Sequence, residues 1–593
     1  MLEWQASGPA HPSLTAGETV PLQIDPRKTY PRRFVPDGAD MGVWEVTEPL
    51  GEALLARRVE SVPALQRWLE DRAELTACVL EVKHARYIAM TTQTDDPERE
   101  QAYLSWIQEF EPKWKLLDNR MDQWYLRHPV RRALPDTYHI MDRLIQNAAE
   151  LHRDENIPLE TADEELKQQY QKLTGAMTVT FRGTEYTLPQ MQRFLEDPDR
   201  ATRQAAWELV AQRRLADEDA LEDLFDQLLA LRARMAANAG FHSYRDFRFR
   251  QLERFDYTPD DCVRYHDAVA RYIVPLSTRL GGERRLRLGT PTLRPWDMTV
   301  DPLGRAPLRP FVQVDEMLDR AQALFTRMDG DLAVLFGAMR EQRLLDLESR
   351  KGKAPGGYQH DLTERRVPFI FMNAVGIDLD VITLLHECGH AFNAFAAREQ
   401  EIIQYRYPPA EFAEVASMGM ELLAFPYLDA YYPADGDYRR AVRDRLDKVI
   451  AILPWVATID AFQQWLYTHP GHTRDARREA WTDIYRRFQP QVDWSGYDRE
   501  LRAGWHRQLH IYQYPFYYIE YGIAQLGALQ VWQRSRRDFR GALEGYLSAL
   551  SLGGSRPLPA LFQAAGARFA FDDDAIGPLS QALADALADA PYA

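Results

Sequence analysis

At 593 residues the chain is longer than one hydrophobic core usually supports, so several subdomains are expected. Hydrophobic residues at 45% and charged residues at 27% exclude a disordered or fibrous chain. With 72 Lys plus Arg against 88 Asp plus Glu, the net charge of −16 repels a phosphate backbone and argues against a nucleic-acid partner.

The opening "MLEWQASGPAHPSL" lacks a basic region followed by an apolar run, so no signal peptide is expected. The first forty residues are rich in Pro and Gly and read as an extended arm over the surface. From about Glu48 the pattern is helix after helix. In "REQAYLSWIQEFEPKWKLLDNRMDQWYL", Tyr103, Leu104, Ile107, Phe110 and Trp114 form one apolar stripe, read as core. The segment "MTVTFRGTEYTL" (177–188) alternates as a strand on each side of Arg182-Gly183 and predicts a hairpin. Another long helical tract follows Pro189 and ends at Gly240, a helix C-cap. Residues 284–311 are loop-rich, with five prolines. A second extended element, "RVPFIFMNAVG" (366–376), precedes the most informative motif. The greasiest stretch, "KVIAILPWVATIDAF", is interrupted by Pro454 and Asp460 and is not expected to span a bilayer. Cys78, Cys262 and Cys388 are odd in number and scattered, which suits a reducing compartment, and a cytoplasmic location is expected. The fold class is mainly α with small β elements.

"VITLLHECGHAFN" (381–393) carries H-E-x-x-H on a helix expected from about Leu379 to Arg398, capped by Asp378 or Asp380. His386 and His390 stand one turn apart on one face, as two zinc ligands require. Glu387 is turned about one hundred degrees around the axis, placing it beside a metal, where it can take a proton from attacking water. Composition alone gives a chance H-E-x-x-H in roughly a few per cent of chains with 14 histidines, so a third ligand is needed. Asn393 and Ala396 exclude the H-x-x-G-x-x-H continuation, and Pro409 stands where a thermolysin-type glutamate ligand would lie. The helix "PPAEFAEVASMGMELLAF" offers Glu411, Glu414 and Glu421; periodicity does not choose among them, and each is as easily a solvated helix glutamate. Within the motif, Cys388 reads as a small packing residue. Gly389, which costs about 1 kcal/mol of helix propensity, points to close approach of another backbone, such as a substrate strand.

H-E-C-G-H followed by the glutamate of "FAEVAS" resembles the oligoendopeptidase F branch of the thimet oligopeptidase family of zinc metallopeptidases. The resemblance implies that Glu414 is the third ligand of one Zn²⁺ per chain, with His386 and His390. It leaves Glu411 as a residue behind the ligands or a plain surface acid, and Glu421 as a structural residue. "KAPGGYQ" (353–359) and "PFIFMNAVG" (368–376) resemble the substrate-side loop and strand, which makes Gly356, Gly357 and Tyr358 candidates for pairing with substrate.

"HIYQYPFYYIEYGIAQLGALQVW" (510–532) reads as a helix after Pro515 and carries a tyrosine cluster that solvent exposure does not explain; a tyrosine stripe is as often core. The resemblance assigns oxyanion stabilisation here to a histidine and tyrosines, mapped best onto His510, Tyr518 and Tyr521, with Tyr514 and Tyr517 on the substrate side and either able to replace Tyr518. It implies a two-lobed helical zincin around a deep substrate channel. The expected divisions are a helical region with an arm at 1–175 and a catalytic region at 176–593. The expected activity is cleavage of internal bonds in short unstructured peptides by metal-activated water, without nucleic-acid or membrane partners. Rival readings are a dipeptidyl carboxypeptidase and a non-catalytic peptide-binding scaffold.

Overall fold

The computed structural model describes residues 24–592, so the stretch read for a signal peptide lies outside the described residues. Helices dominate, with five short strands among the described residues: β1 (Thr178–Phe181), β2 (Thr184–Thr187), β3 (Leu345–Glu348), β4 (Tyr358–Leu362) and β5 (Val367–Ala374). β1 and β2 form the expected antiparallel hairpin. Arg182 and Gly183 turn it at φ 53° and 81°, the left-handed pair that matches strand twist in a two-residue loop. Gly240, at φ 84°, ends the Glu218–Asn238 helix, and the Phe241 amide bonds back to the Ala236 carbonyl at 2.9 Å.

The apolar stripe at 103–114 is not continuous. A π-helical turn at Trp106–Phe110 shifts the phase, so Trp106 enters the core while Leu104 stays 37% exposed. A second difference concerns the Asp435–Thr468 helix, which runs unbroken for 34 residues through Pro454 and Asp460. By length and composition it could cross a membrane, but 72% of its apolar window is buried inside the fold. Asp460 is itself buried, 2.8 Å from His266 Nε2.

Apolar side chains gather in two main cores, one drawing on residues between Val35 and Ile145 together with Tyr405, the other on residues between Leu159 and Leu587. The described part of the arm is extended, as expected, and bridges the two. Glu74 accepts the amides of Arg33, Phe34 and Val35, while Lys28 and Tyr30 reach Glu399 and Arg32 forks onto Glu364. The Val62–Thr92 helix docks on the edge of the second body through His84 Nδ1 to the Asp361 carbonyl (2.7 Å) and Thr91 Oγ1 to the Tyr358 hydroxyl (2.6 Å).

The second sheet has the order β3-β5-β4, with β3 parallel and β4 antiparallel to the central strand. β5 is buried almost throughout, which explains its unbroken run of apolar residues. Its end turns at Gly376, φ 87°, into the motif helix (Asp378–Ala397); a Cβ at Gly376 would stand 2.9 Å from the Phe311 carbonyl oxygen.

Candidate metal centre

The motif helix starts from an acidic cap. Asp380 Oδ2 accepts the amides of Val375, Gly376 and Ile377 at 2.8, 2.8 and 3.0 Å, satisfying donors that the helix cannot. Val381, Leu384, Leu385, Cys388, Phe392 and Phe395 are buried, so the helix is fixed on most of its circumference. Cys388 is packed inside, and burial pushes its thiol well up, as expected of a packing residue rather than a reactive one.

Gly389 does meet another backbone, though not a substrate strand. A Cβ there would lie 2.4 Å from the Ala416 oxygen and 2.6 Å from the Ser417 Cα, so the acid helix (Ala410–Leu423) crosses the motif helix at this glycine. The crossing brings Glu414 opposite both histidines. Donor atoms of His386, His390 and Glu414 all lie within 4.8 Å of one another. A tetrahedral zinc with bonds of about 2.0–2.1 Å sets neighbouring donors about 3.3–3.4 Å apart. Here His386 Nε2 and His390 Nε2 are 3.4 and 3.8 Å from Glu414 Oε2, the first at that spacing and the second somewhat wider, so the three side chains can converge on such an ion.

The remaining ring nitrogens are engaged. His386 Nδ1 donates to Glu421 Oε1 at 2.8 Å, and the His390 ring bonds the Ala413 carbonyl, leaving both Nε2 atoms to face Glu414. Ser417 donates its hydroxyl to Glu414 Oε2 at 2.9 Å and holds that carboxylate. Glu421, read from sequence as a structural residue, therefore orients a candidate ligand. It lies two helical turns beyond Glu414 on the same face, a spacing that carries the signal. Glu411 is not a surface acid: it is 3% exposed, accepts the Tyr257 hydroxyl at 2.7 Å and lies 3.8 Å from Arg254 Nε.

Charge in the cluster is organised for a cation. Burial lowers the His386 pKa, but the hydrogen bond and charge of Glu421, with Glu414 and Glu387, lift it to about 9. Burial and the neighbouring His386 push His390 down to about 3. Burial raises Glu387 to about 7, offset in part by His386 and by the Gln359 amide of β4.

The tyrosine segment differs from a helix that begins at Pro515. Leu509–Gln513 is a short helix, Phe516 takes φ 65°, and the tyrosine helix starts only at Ile519 and runs to Ser535. Arg254 donates to the Phe516 carbonyl and to Glu520 Oε1 (2.9 Å), fixing this turn against the acid helix. As a result Tyr517 and Tyr521 approach Glu414, whose charge adds to burial in raising both phenols. Tyr518, mapped from sequence as an oxyanion donor, is 8% exposed and faces Trp455 and Gln508 instead; Tyr517 takes the position beside the triad. The His510 ring packs against Tyr518 at 4.7 Å and Tyr521 at 6.1 Å. Gln508 Nε2 lies 2.8 Å from His510 Nδ1; with the amide donating, Nε2 carries the ring hydrogen. Burial lowers His510 to about 4, which keeps it neutral.

Tyr514 is 49% exposed, and its phenol approaches Tyr87 of the Val62–Thr92 helix. Tyr87 belongs to an aromatic group with Tyr103, Tyr358 and His360, at 5.5, 5.4 and 5.2 Å. Gly356 has open space at its Cβ position and φ 100°, while Gly357 would press on the Phe371 oxygen at 3.4 Å. Tyr358 stacks on Phe371 at 4.7 Å and gives its hydroxyl to the contact with Thr91, so its side chain is committed to the fold.

Comparison with known proteins gives concordant results. Residues 193–577 match the model of Peptidase family M3. Oligopeptidase PepF of Bacillus subtilis (strain 168) is 24% identical over 218 residues, covering 36% of this chain and 32% of that protein. The oligoendopeptidase F homolog of Borreliella burgdorferi (strain ATCC 35210 / DSM 4680 / CIP 102532 / B31) is 23% identical over 236 residues, 38% of this chain and 39% of the relative. In sequence, then, the chain aligns with well under half the length of either relative. A solved structure of PZ peptidase A with an inhibitor superposes at a TM-score of 0.84 with 28% identity, covering 94% of this chain and 99% of that one. With a family match that spans more than half its length, and a fold shared almost end to end, this chain belongs to peptidase family M3.

Proposed function

We propose that the protein is a zinc-dependent endopeptidase that hydrolyses internal bonds of short, unstructured peptides. The observation that supports this most directly is the convergence of the two Nε2 atoms on Glu414 Oε2 at 3.4 and 3.8 Å, with the other ring nitrogens held by Glu421 and Ala413. Family membership supports the same reading. His386, His390 and Glu414 would hold a zinc ion, which would supply a Lewis acid for the peptide carbonyl and lower the pKa of the attacking water. Glu387 takes the proton from that water on its carboxylate and returns it to the leaving nitrogen, a role suited to a carboxyl raised toward neutrality by burial. His510 Nε2–H, Tyr521 and Tyr517 donate to the carbonyl oxygen as it gains charge, which favours the transition state over the ground state. β4 is at the edge of its sheet, but its Gln359 amide and Asp361 carbonyl are taken by Glu387 and His84, so the Gly356-Gly357 stretch leading into it is the part that would pair with an extended peptide.

The test is cleavage of a quenched-fluorescent peptide library by purified protein, before and after chelation, with zinc added back. Internal cleavage that chelation abolishes and zinc restores is expected. Glu387→Gln should retain zinc yet lose about 10²–10⁴-fold in kcat. Full activity in that variant, or activity indifferent to chelation, contradicts the reading.

A further inference from the structure

Gln508, the partner of His510, lines a cavity of about 520 Å³ that the chemistry above does not use. Its size suits a small organic ligand or one to two amino-acid residues. Trp207, Trp455 and Trp494 stand half-buried in its walls. Two arginines, Arg214 and Arg507, line the same space. Most arginines buried in this fold are bridged: Arg232 to Asp163 and Arg477 to Glu222, for example. Arg214, half-buried, and Arg507, exposed at the cavity mouth, differ from these: among the described residues neither guanidinium has a hydrogen bond or an ion pair. Arg507 instead lies 5.3 Å over the Trp455 ring. Glu500 also lines the cavity and pairs with neither. Burial, then the like charge of Arg507, lowers Arg214 to about 10.

Two neighbouring like charges without a paired counter-ion, one of them over the Trp455 indole, call for an anion carried on an apolar group. The planar guanidinium fork pairs best with a carboxylate, and the indoles accept an aromatic or large aliphatic side chain. We propose that this cavity binds the carboxylate of an aromatic or large apolar amino acid, such as the C-terminal residue of a peptide. The cavity and the candidate metal centre are close neighbours. Gln508 lines the cavity and holds His510 Nδ1 at 2.8 Å, and the Tyr518 hydroxyl faces Gln508 and Trp455 between them.

The experiment compares N-acetyl-L-phenylalanine with its C-terminal amide, titrated into the full chain and followed by tryptophan fluorescence and calorimetry. The acid should bind about tenfold or more tightly than the amide, and Arg214→Gln/Arg507→Gln should bring the two to equal, weak binding. Equal affinity for acid and amide in the native protein, or no saturable binding of either, overturns the proposal. Neither readout requires catalysis, so an inactive protein leaves this test intact. A second arm rests on the peptidase reading and distinguishes the two sources of such a carboxylate. Competitive inhibition of peptide cleavage by the acid assigns the site to the substrate's own C-terminal end. Inhibition or activation without competition assigns it to a free aromatic acid.

Discussion

Glu421 shows how a residue outside the candidate triad can orient a member of it. Its carboxylate holds the Nδ1 hydrogen of His386, which fixes the tautomer and leaves Nε2 bearing the lone pair that a metal needs. Glu421→Ala frees the ring to rotate and removes a charge from the cluster. The expected result is roughly 10–100-fold weaker zinc affinity, measured by competition with a chromogenic chelator, while the fold stays intact. Unchanged affinity would mean that the imidazole is positioned by packing alone. A comparison of Tyr517→Phe with Tyr518→Phe discriminates between neighbours in the same way. The Tyr517 phenol stands beside Glu414, so its loss should lower kcat by roughly ten- to a hundredfold with little effect on KM. Tyr518 faces the indole side, and its loss should cost less than about threefold in kcat. The reverse order would restore Tyr518 to the oxyanion.

Among the elements, the crossing of the motif and acid helices carries the site, and a missing side chain makes it possible. With a would-be Cβ 2.4 Å from the Ala416 oxygen, Gly389→Ala forces the two backbones apart. The variant should lose about 1–3 kcal/mol of stability, read by denaturant unfolding, and bind zinc more weakly because Glu414 recedes with its helix. A variant with full stability and affinity would show that the crossing is slack. That contact was legible in part: a glycine in the middle of a strong helix announces a close approach, but not which element makes it. The two histidines, Glu387, the hairpin at Arg182-Gly183 and the helix end at Gly240 were readable because each depends on local spacing or local backbone preference. The parts played by Glu411, left between two readings, and Glu421, read as structural, were not legible because their partners, Tyr257, Arg254 and His386, come from other elements. The tyrosine segment was misread as a helix from Pro515 because tertiary bonds from Arg254 and Gln463 hold Phe516 in a conformation that its own sequence does not favour. One consequence is that Tyr517, not Tyr518, stands beside Glu414.

At the scale of the whole molecule, the two cores meet where the Val62–Thr92 helix lies against β4, and Asp361 sits in that seam. Its carbonyl takes His84 Nδ1, its carboxylate takes the Gln359 amide, and its carboxyl group is closely surrounded by protein. Burial dominates and raises its pKa to about 6, while Gln359 and Arg406 draw it down. An acid whose pKa is raised on folding gives its full stability below the unfolded value of about 3.9, because both states are then protonated. That stability is lost as pH climbs toward 6, where the folded protein must ionise a buried group, and the loss is constant above it. Roughly two units correspond to at most about 3 kcal/mol, and water reaching one side of the strand brings this nearer 1–2 kcal/mol. Asp361→Asn keeps the oxygen that accepts from Gln359 and abolishes the ionisation. It should therefore raise the melting temperature at pH 7.5 and progressively less toward pH 4.5, in parallel scans of both proteins. A gain independent of pH would assign the effect to packing. A loss at pH 7.5 would mean that the carboxylate is paired across the seam, with Arg406 the counter-ion that holds the two bodies together.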